Sequence, residues 1–149
     1  MIIRQATKDD IENYMIVRMA VKENVLNTPE LVTKEGEERI LTVDGKGWVC
    51  EIASKIVGFV IVDLKRHILW ALFVHPDFEN RGIGKELHKI MLEYYFSQSQ
   101  DRICLTTEPN TRADQFYQLA GWNNDGMVGK EKKYSLSYDS YKKLYNASR

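Results

Sequence analysis

Arg81-Gly82-Ile83-Gly84 is the stretch of the chain best suited to hold a ligand. It follows an apolar run at 69–74 that is stopped by Pro76, and it opens a segment in which Ile83, Leu87, Ile90, Met91 and Tyr94 fall on one helical face. Strand, glycine turn and helix start in this order leave the amides of the first helical turn without internal partners, at the positive end of the helix dipole. Phosphate oxygens satisfy such amides, and glycines at 82 and 84 remove the Cβ atoms that would hold an anion away. The expected chemistry is anion binding. Two common phosphate loops do not fit: Gly84-Lys85 is followed by Glu86, which leaves no hydroxyl for a Walker Mg²⁺, and Leu87 stands where a Rossmann fingerprint needs its third glycine.

The scaffold around this turn follows from periodicity. Residues 2–6 read as a strand, and Thr7 with Asp10 as a capping box for a helix carrying Ile11, Tyr14, Met15, Arg18, Met19 and Lys22 on one stripe, ending near 24–27. Thr28-Pro29 breaks the chain, and Thr33 starts a polar helix to about residue 42 with Glu35, Glu37 and Glu38 exposed. Strands are expected at 48–53, 56–62 and 68–74, the first two joined as a hairpin at Ser54-Lys55. The second and third runs are apolar at both parities, which predicts central strands buried on both faces. After the helix that ends near 97–99 come a fifth strand at 102–107, a helix capped by Asn110 and closed by Gly121, two closing strands separated by a turn at 126–129, and a short helix in 139–149. The order β-α-α-β-β-β-α-β-α-β-β predicts an α/β fold: one mixed, mostly antiparallel sheet with helices on both faces. Trp48, Trp70 and Trp122 read as core, Trp70 having the alternative of walling a pocket, and the charge run at 130–133 reads as a solvated face.

A chain of 149 residues is the length of one domain, expected to span 1–149. Lys plus Arg and Asp plus Glu number 21 each, so no basic field exists to draw nucleic acid or a membrane surface. Cys50 and Cys104 lie in apolar runs without metal-ligand spacing and read as free thiols of a reducing compartment; no metal is expected. No apolar run reaches the roughly 18 residues of a membrane span and residues 1–10 lack a signal core, so a cytoplasmic location is expected.

Taken together with Asn110, Ala113, Tyr117, Gly121 and Trp122, the glycine turn resembles the GCN5-related N-acetyltransferase (GNAT) superfamily. The pyrophosphate loop of that family, Gln/Arg-x-x-Gly-x-Gly/Ala, aligns with residues 79–84. Its later segment, Asn-x-x-Ala-x-x-x-Tyr-x-x-x-Gly-Phe, aligns with residues 110–122, with Trp122 for Phe and Glu79 for the usual Gln or Arg. The resemblance implies an acyl-CoA N-acyltransferase-like fold and acetyl transfer from acetyl-CoA to an amine by direct attack, without a covalent acyl-enzyme. It also implies a cofactor seat made by Phe73, Val74 and His75 on the strand, Arg81, Gly82, Ile83, Gly84 and Lys85 at the turn, and Asn110 and Tyr117 beyond. Tyr117 would protonate the departing thiolate. An amine must lose a proton before it attacks, which calls for a carboxylate. The strand at 68–74 holds none, leaving Glu108, then Glu51, with Asp63 as a further candidate.

The resemblance leaves the acceptor open between a small-molecule amine and a protein amine, and a homodimer is compatible with it. Residues 22–34 and the hairpin near 126–131 are expected to shape the acceptor side. A second reading keeps fold and cofactor but drops catalysis, giving a CoA-binding sensor or partner-binding module.

Overall fold

The computed structural model describes residues 1–24 and 33–146. Seven strands form one sheet in the order β1-β2-β3-β4-β5-β7-β6. In the chain these are β1 (Ile2–Gln5), β2 (Gly45–Ile52), β3 (Lys55–Asp63), β4 (Ile68–Val74), β5 (Ile103–Thr107), β6 (Asn123–Val128) and β7 (Glu131–Leu136). The helices are α1 (Ile11–Ala20), α2 (Lys34–Arg39), α3 (Ile83–Gln98), α4 (Arg112–Leu119) and α5 (Tyr138–Asn146). All neighbours pair antiparallel except β4 and β5. Among the described residues no helix is long and apolar enough to cross a membrane.

The two sides of β3 explain the two-sided architecture. Phe59 and Ile61 pack with Tyr14 and Val17 of α1 and with Ile40 and Leu41 after α2, while Val60 and Val62 pack with Leu87, Met91, Leu92 and Tyr95 of α3. Successive strand residues point to opposite faces, so an apolar run at both parities needs a helix on each. Tyr14 stacks on Phe59 at 4.5 Å between ring centroids. Each fully buried side chain of this kind contributes about 1.5–3 kcal/mol.

The site is made by what β4 does next. β4 and β5 run parallel and pair only at Ile68 and Cys104, after which they diverge and leave the outer edge of β4 without a strand neighbour. A bulge accompanies the divergence: Ile61 faces Ala71 while Val62 faces Leu69, so Trp70 is the extra residue. β4 is therefore central in the sheet but only half-buried over most of its length, contrary to the expectation of burial on both faces. Trp70, 42% exposed, is the one tryptophan outside the core; Trp48 and Trp122 are buried.

Other boundaries move for local reasons. α1 stops at Ala20, earlier than its stripe suggests, with Met19 exposed. α2 is one short segment capped by the Thr33 hydroxyl and continued by a wider turn at Ile40–Asp44. The Thr28-Pro29 break lies outside the described residues. Gly126 sits in a bulge of β6, and the turn to β7 is Gly129-Lys130. The terminal helix α5 and short 3-10 turns at Lys8–Asp10 and Pro76–Phe78 complete the element order.

Candidate active site

Two cavities meet along β4. The smaller, about 360 Å³, is bounded by Phe73 and Val74 of β4, by Gly82, Ile83, Gly84 and Lys85 at the start of α3, and by Ala113, Phe116 and Tyr117 of α4. Gly82 is the N-cap of α3 at φ +79°, a left-handed conformation that disfavours every L side chain. The first bond of the helix ladder runs from the Glu86 N–H to the Gly82 carbonyl at 3.1 Å, so the amides of residues 83–85 precede it. A Cβ on Gly84 would lie 3.8 Å from Val74 and 3.9 Å from Phe116, filling cleft space without a clash. Free amides, a dipole end and glycine-cleared walls suit the pyrophosphate of a CoA thioester.

Glu79, the residue out of place in an anion seat, is neutralised from the opposite wall. Arg112, first residue of α4, reaches Glu79 at 2.9 Å and the Asn80 side chain at 3.2 Å. Its own backbone N–H donates to Glu23 at 3.0 Å, an acidic side chain at a helix N-terminus where the dipole favours it. Next to Glu23, Asn24 accepts from the Glu108 N–H at 2.8 Å and donates to the Thr107 hydroxyl at 3.1 Å. The run at 22–24 thus ties the end of α1 to both walls of the cleft.

Three residues expected at the cofactor have other partners. His75 caps the Pro76–Phe78 turn, its Nδ1 accepting from the Asp77 N–H at 3.1 Å. Arg81 stacks on Phe78, its guanidinium carbon 5.0 Å from the ring centre. Asn110, at φ +63°, donates its N–H to Asp114 at 2.8 Å. None of the three lines either cavity. The cap of α4 is not Asn110 but Thr111, whose hydroxyl accepts from the Asp114 N–H at 3.1 Å. The other end closes as expected, with Gly121 at φ +87° and a bond from the Trp122 N–H to the Tyr117 carbonyl at 3.0 Å.

Tyr117 lines both cavities and is buried against Phe116, Trp122 and Tyr134. Burial pushes its phenol well above the ordinary tyrosine range, so it stays protonated. Its helix is anchored by Asp114, which sequence reading passed over. Burial alone would push that carboxyl up, but bonds from the Tyr134 hydroxyl, the Asn110 N–H, Lys132 at 3.0 Å and Gln118 at 3.1 Å outweigh it and hold the group well below the usual range. Lys132 is thereby part of an ion pair rather than a solvated face.

His88 on α3 lies beneath Tyr117 and accepts from the Trp122 indole N–H at 3.0 Å. Burial pushes it down from 6.5 to about 4. Between these values the unfolded chain binds the extra proton, so stability is full above about pH 6.5 and falls as pH drops toward 4. Chemical denaturation across this window is expected to show the loss, and His88→Gln, which keeps an acceptor for Trp122, to flatten it. Asp10 and Asp114, whose pKa values are lowered from 3.8, add acid sensitivity only below this window.

The larger cavity, about 760 Å³, opens on the other side of Tyr117 between α1, α2, Trp70 and Phe73 of β4, the end of β5 and the β6–β7 turn. Glu108 lines it and is exposed. Glu51 does not: Arg4 holds it at 2.7 Å on the far side of the sheet, between β1 and β2. Asp63 is likewise taken up by Arg66 at 2.7 Å. The carboxylate that sequence reading missed is Glu37, expected exposed but 5% accessible and lining this cavity. Its oxygens accept from the Tyr14 hydroxyl at 2.9 Å and the Trp70 indole at 3.2 Å. The available signal was Ile40 and Leu41, three and four residues on, which share its face of the turn and are buried.

A family model described as "Acetyltransferase (GNAT) family" matches residues 13–122. An uncharacterised N-acetyltransferase of Archaeoglobus fulgidus is 32% identical over 131 residues, covering 77% of this chain and 88% of that protein. The peptidyl-lysine N-acetyltransferase YiaC of Escherichia coli is 33% identical over 81 residues, covering 54% of this chain and 51% of that protein, so the chain spans about half of its length. The crystal structure of the PaiA N-acetyltransferase of Thermoplasma acidophilum in complex with coenzyme A superposes with a TM-score of 0.76 at 16% identity, over 92% of this chain and 98% of that one. Acetyl transfer from acetyl-CoA to an amine is the reaction of the acetyltransferase (GNAT) family, and the chain belongs to that family.

Proposed function

We propose that the smaller cleft holds acetyl-CoA, the larger cavity holds the amine, and Tyr117 acts where the two meet. The observation that carries this reading is that one buried, protonated phenol lines both spaces. Acetyl-CoA supplies a thioester: the amine nitrogen gains the new C–N bond as the C–S bond breaks, and the sulfur departs as a thiolate. Gly82, Ile83, Gly84 and Lys85 would hold its pyrophosphate, and Phe73 and Val74 its pantetheine arm. Backbone amides along the unpaired edge of β4 polarise the carbonyl oxygen as it gains charge. Tyr117 gives its proton to the sulfur, which a dry pocket would otherwise leave charged.

Glu108 takes the proton released by the attacking amine and, being exposed at the end of β5, passes it to bulk water. Glu37 has one donor on each oxygen and serves as a fixed negative charge in the cavity wall. A sensor without catalysis would use Tyr117 only for its packing against Phe116, Trp122 and Tyr134. Thiol release from acetyl-CoA in the presence of a broad amine panel tests the proposal; binding of acetyl-CoA with no release for any amine would leave the sensor reading in place of the enzyme.

A further inference from the structure

The larger cavity contains a cation without a counter-charge in contact. Arg18 of α1 lines it and stacks on Phe73, with the guanidinium carbon 4.1 Å from the ring centre. Its NH1 is buried and has no hydrogen-bond partner, alone in this among the buried side-chain nitrogens and oxygens of the described residues. No carboxylate of the described residues lies within ion-pair distance of it. Glu37 and Glu108 line the same space and act on it only through their fields. Two buried carboxylates of the described residues, by contrast, have donors, Asp114 four and Glu37 two.

Leaving a buried donor unpaired is destabilising, and more so when it is charged. A guanidinium is the side chain that matches a planar carboxylate with two parallel bonds, and its stacking on Phe73 limits how it can turn. Glu37 offers the opposite charge in the same wall, with lone pairs left over after its two accepted bonds. A cavity that presents a fixed cation and a fixed anion suits a molecule carrying both charges. At about 760 Å³ it is also within the range of small-molecule sites.

On the reading that the larger cavity receives the amine, we propose that the acceptor is a small zwitterionic amine of the amino-acid class, its carboxylate bound by Arg18 and its amino group by Glu37. A polyamine would leave Arg18 unpaired and add like charge beside it. A lysine within a peptide brings its amine without a carboxylate at fixed distance, so it should be acetylated poorly.

The test compares the proteinogenic amino acids with their carboxamides, with decarboxylated amines and with lysine-containing peptides. It uses acetyl-CoA-dependent thiol release together with calorimetric titration of the same amines into the CoA complex. At least one amino acid is expected to exceed its own carboxamide by about 100-fold in kcat/KM, because the amide keeps one acceptor but loses the charge and the second oxygen that a guanidinium pairs with. Arg18→Met should abolish that preference, leave acetyl-CoA affinity unchanged and hold or raise the melting temperature, since it removes a buried nitrogen that has no hydrogen-bond partner. Arg18→Lys should recover only part of the preference, a point charge replacing a fork. Equal use of acid and amide, turnover confined to polyamines or lysine peptides, or binding of acetyl-CoA with no amino acid bound or acetylated would overturn the proposal. So would an acetyl-CoA affinity that falls with Arg18→Met, or a melting temperature several degrees lower in both variants. Failure of acetyl-CoA itself to bind would instead remove the reading on which the proposal rests.

Discussion

Replacing Asp114 by alanine is expected to destabilise the fold by about 3–5 kcal/mol, because it strands Lys132 and the Tyr134 hydroxyl beside a vanished carboxylate. Asp114 is 2% exposed, and its partners come from β7, from the turn before α4 and from α4 itself. The loss therefore loosens the seat of the helix that carries Tyr117. For a chain of this length the melting temperature should drop by roughly 10 °C. Asp114→Asn keeps an acceptor for Tyr134 and loses the charge for Lys132, so it should cost about half as much. Urea unfolding of both variants checks this, and a cost below about 1 kcal/mol for the alanine variant would show that the network is not what holds α4 in place.

Tyr117→Phe is expected to lower turnover by about 100-fold, the lower end of what a positioned acid contributes. The ring keeps its packing against Phe116, Trp122 and Tyr134, and both cavities keep their shape. Acetyl-CoA affinity and melting temperature should therefore move little. This split separates an acid from a packing residue: if the tyrosine only filled space, phenylalanine would leave turnover intact. Unchanged turnover with a good acceptor would sink the assignment.

Local features of the site are legible in the sequence because their physics is local. The glycine turn follows from a strand that must stop at Pro76, a helix that must start by residue 83, and an N-cap at φ +79° that only glycine adopts without strain. The Gly121 closure is equally local, since its bonds span a few residues. Long-range matching is what the sequence hides. Glu37 is one of three glutamates in a polar helix, and its burial depends on Tyr14 and on Trp70, 33 residues away. Trp70 itself is turned outward by a bulge that shifts parity, which no apolar pattern announces. Glu51 has apolar neighbours in sequence, and its partner comes from the adjacent strand β1. Asn110 and Thr111 are both good caps, and the choice between them turns on Asp114 accepting the Asn110 N–H. The departure at Glu79 is resolved in the same way, by an arginine from the far wall of the cleft.

Whether the cleft at the start of α3 seats acetyl-CoA is decided by calorimetric titration of acetyl-CoA into the protein and into Gly84→Val. Valine suits the helix there better than glycine, and its Cβ meets only ordinary contacts with Val74 and Phe116, so the variant should fold. Its methyl groups enter the space assigned to the cofactor. Saturable one-to-one binding by the parent chain, lost in Gly84→Val at an unchanged melting temperature, is the predicted result. No binding by the parent, or equal binding by both, would contradict it.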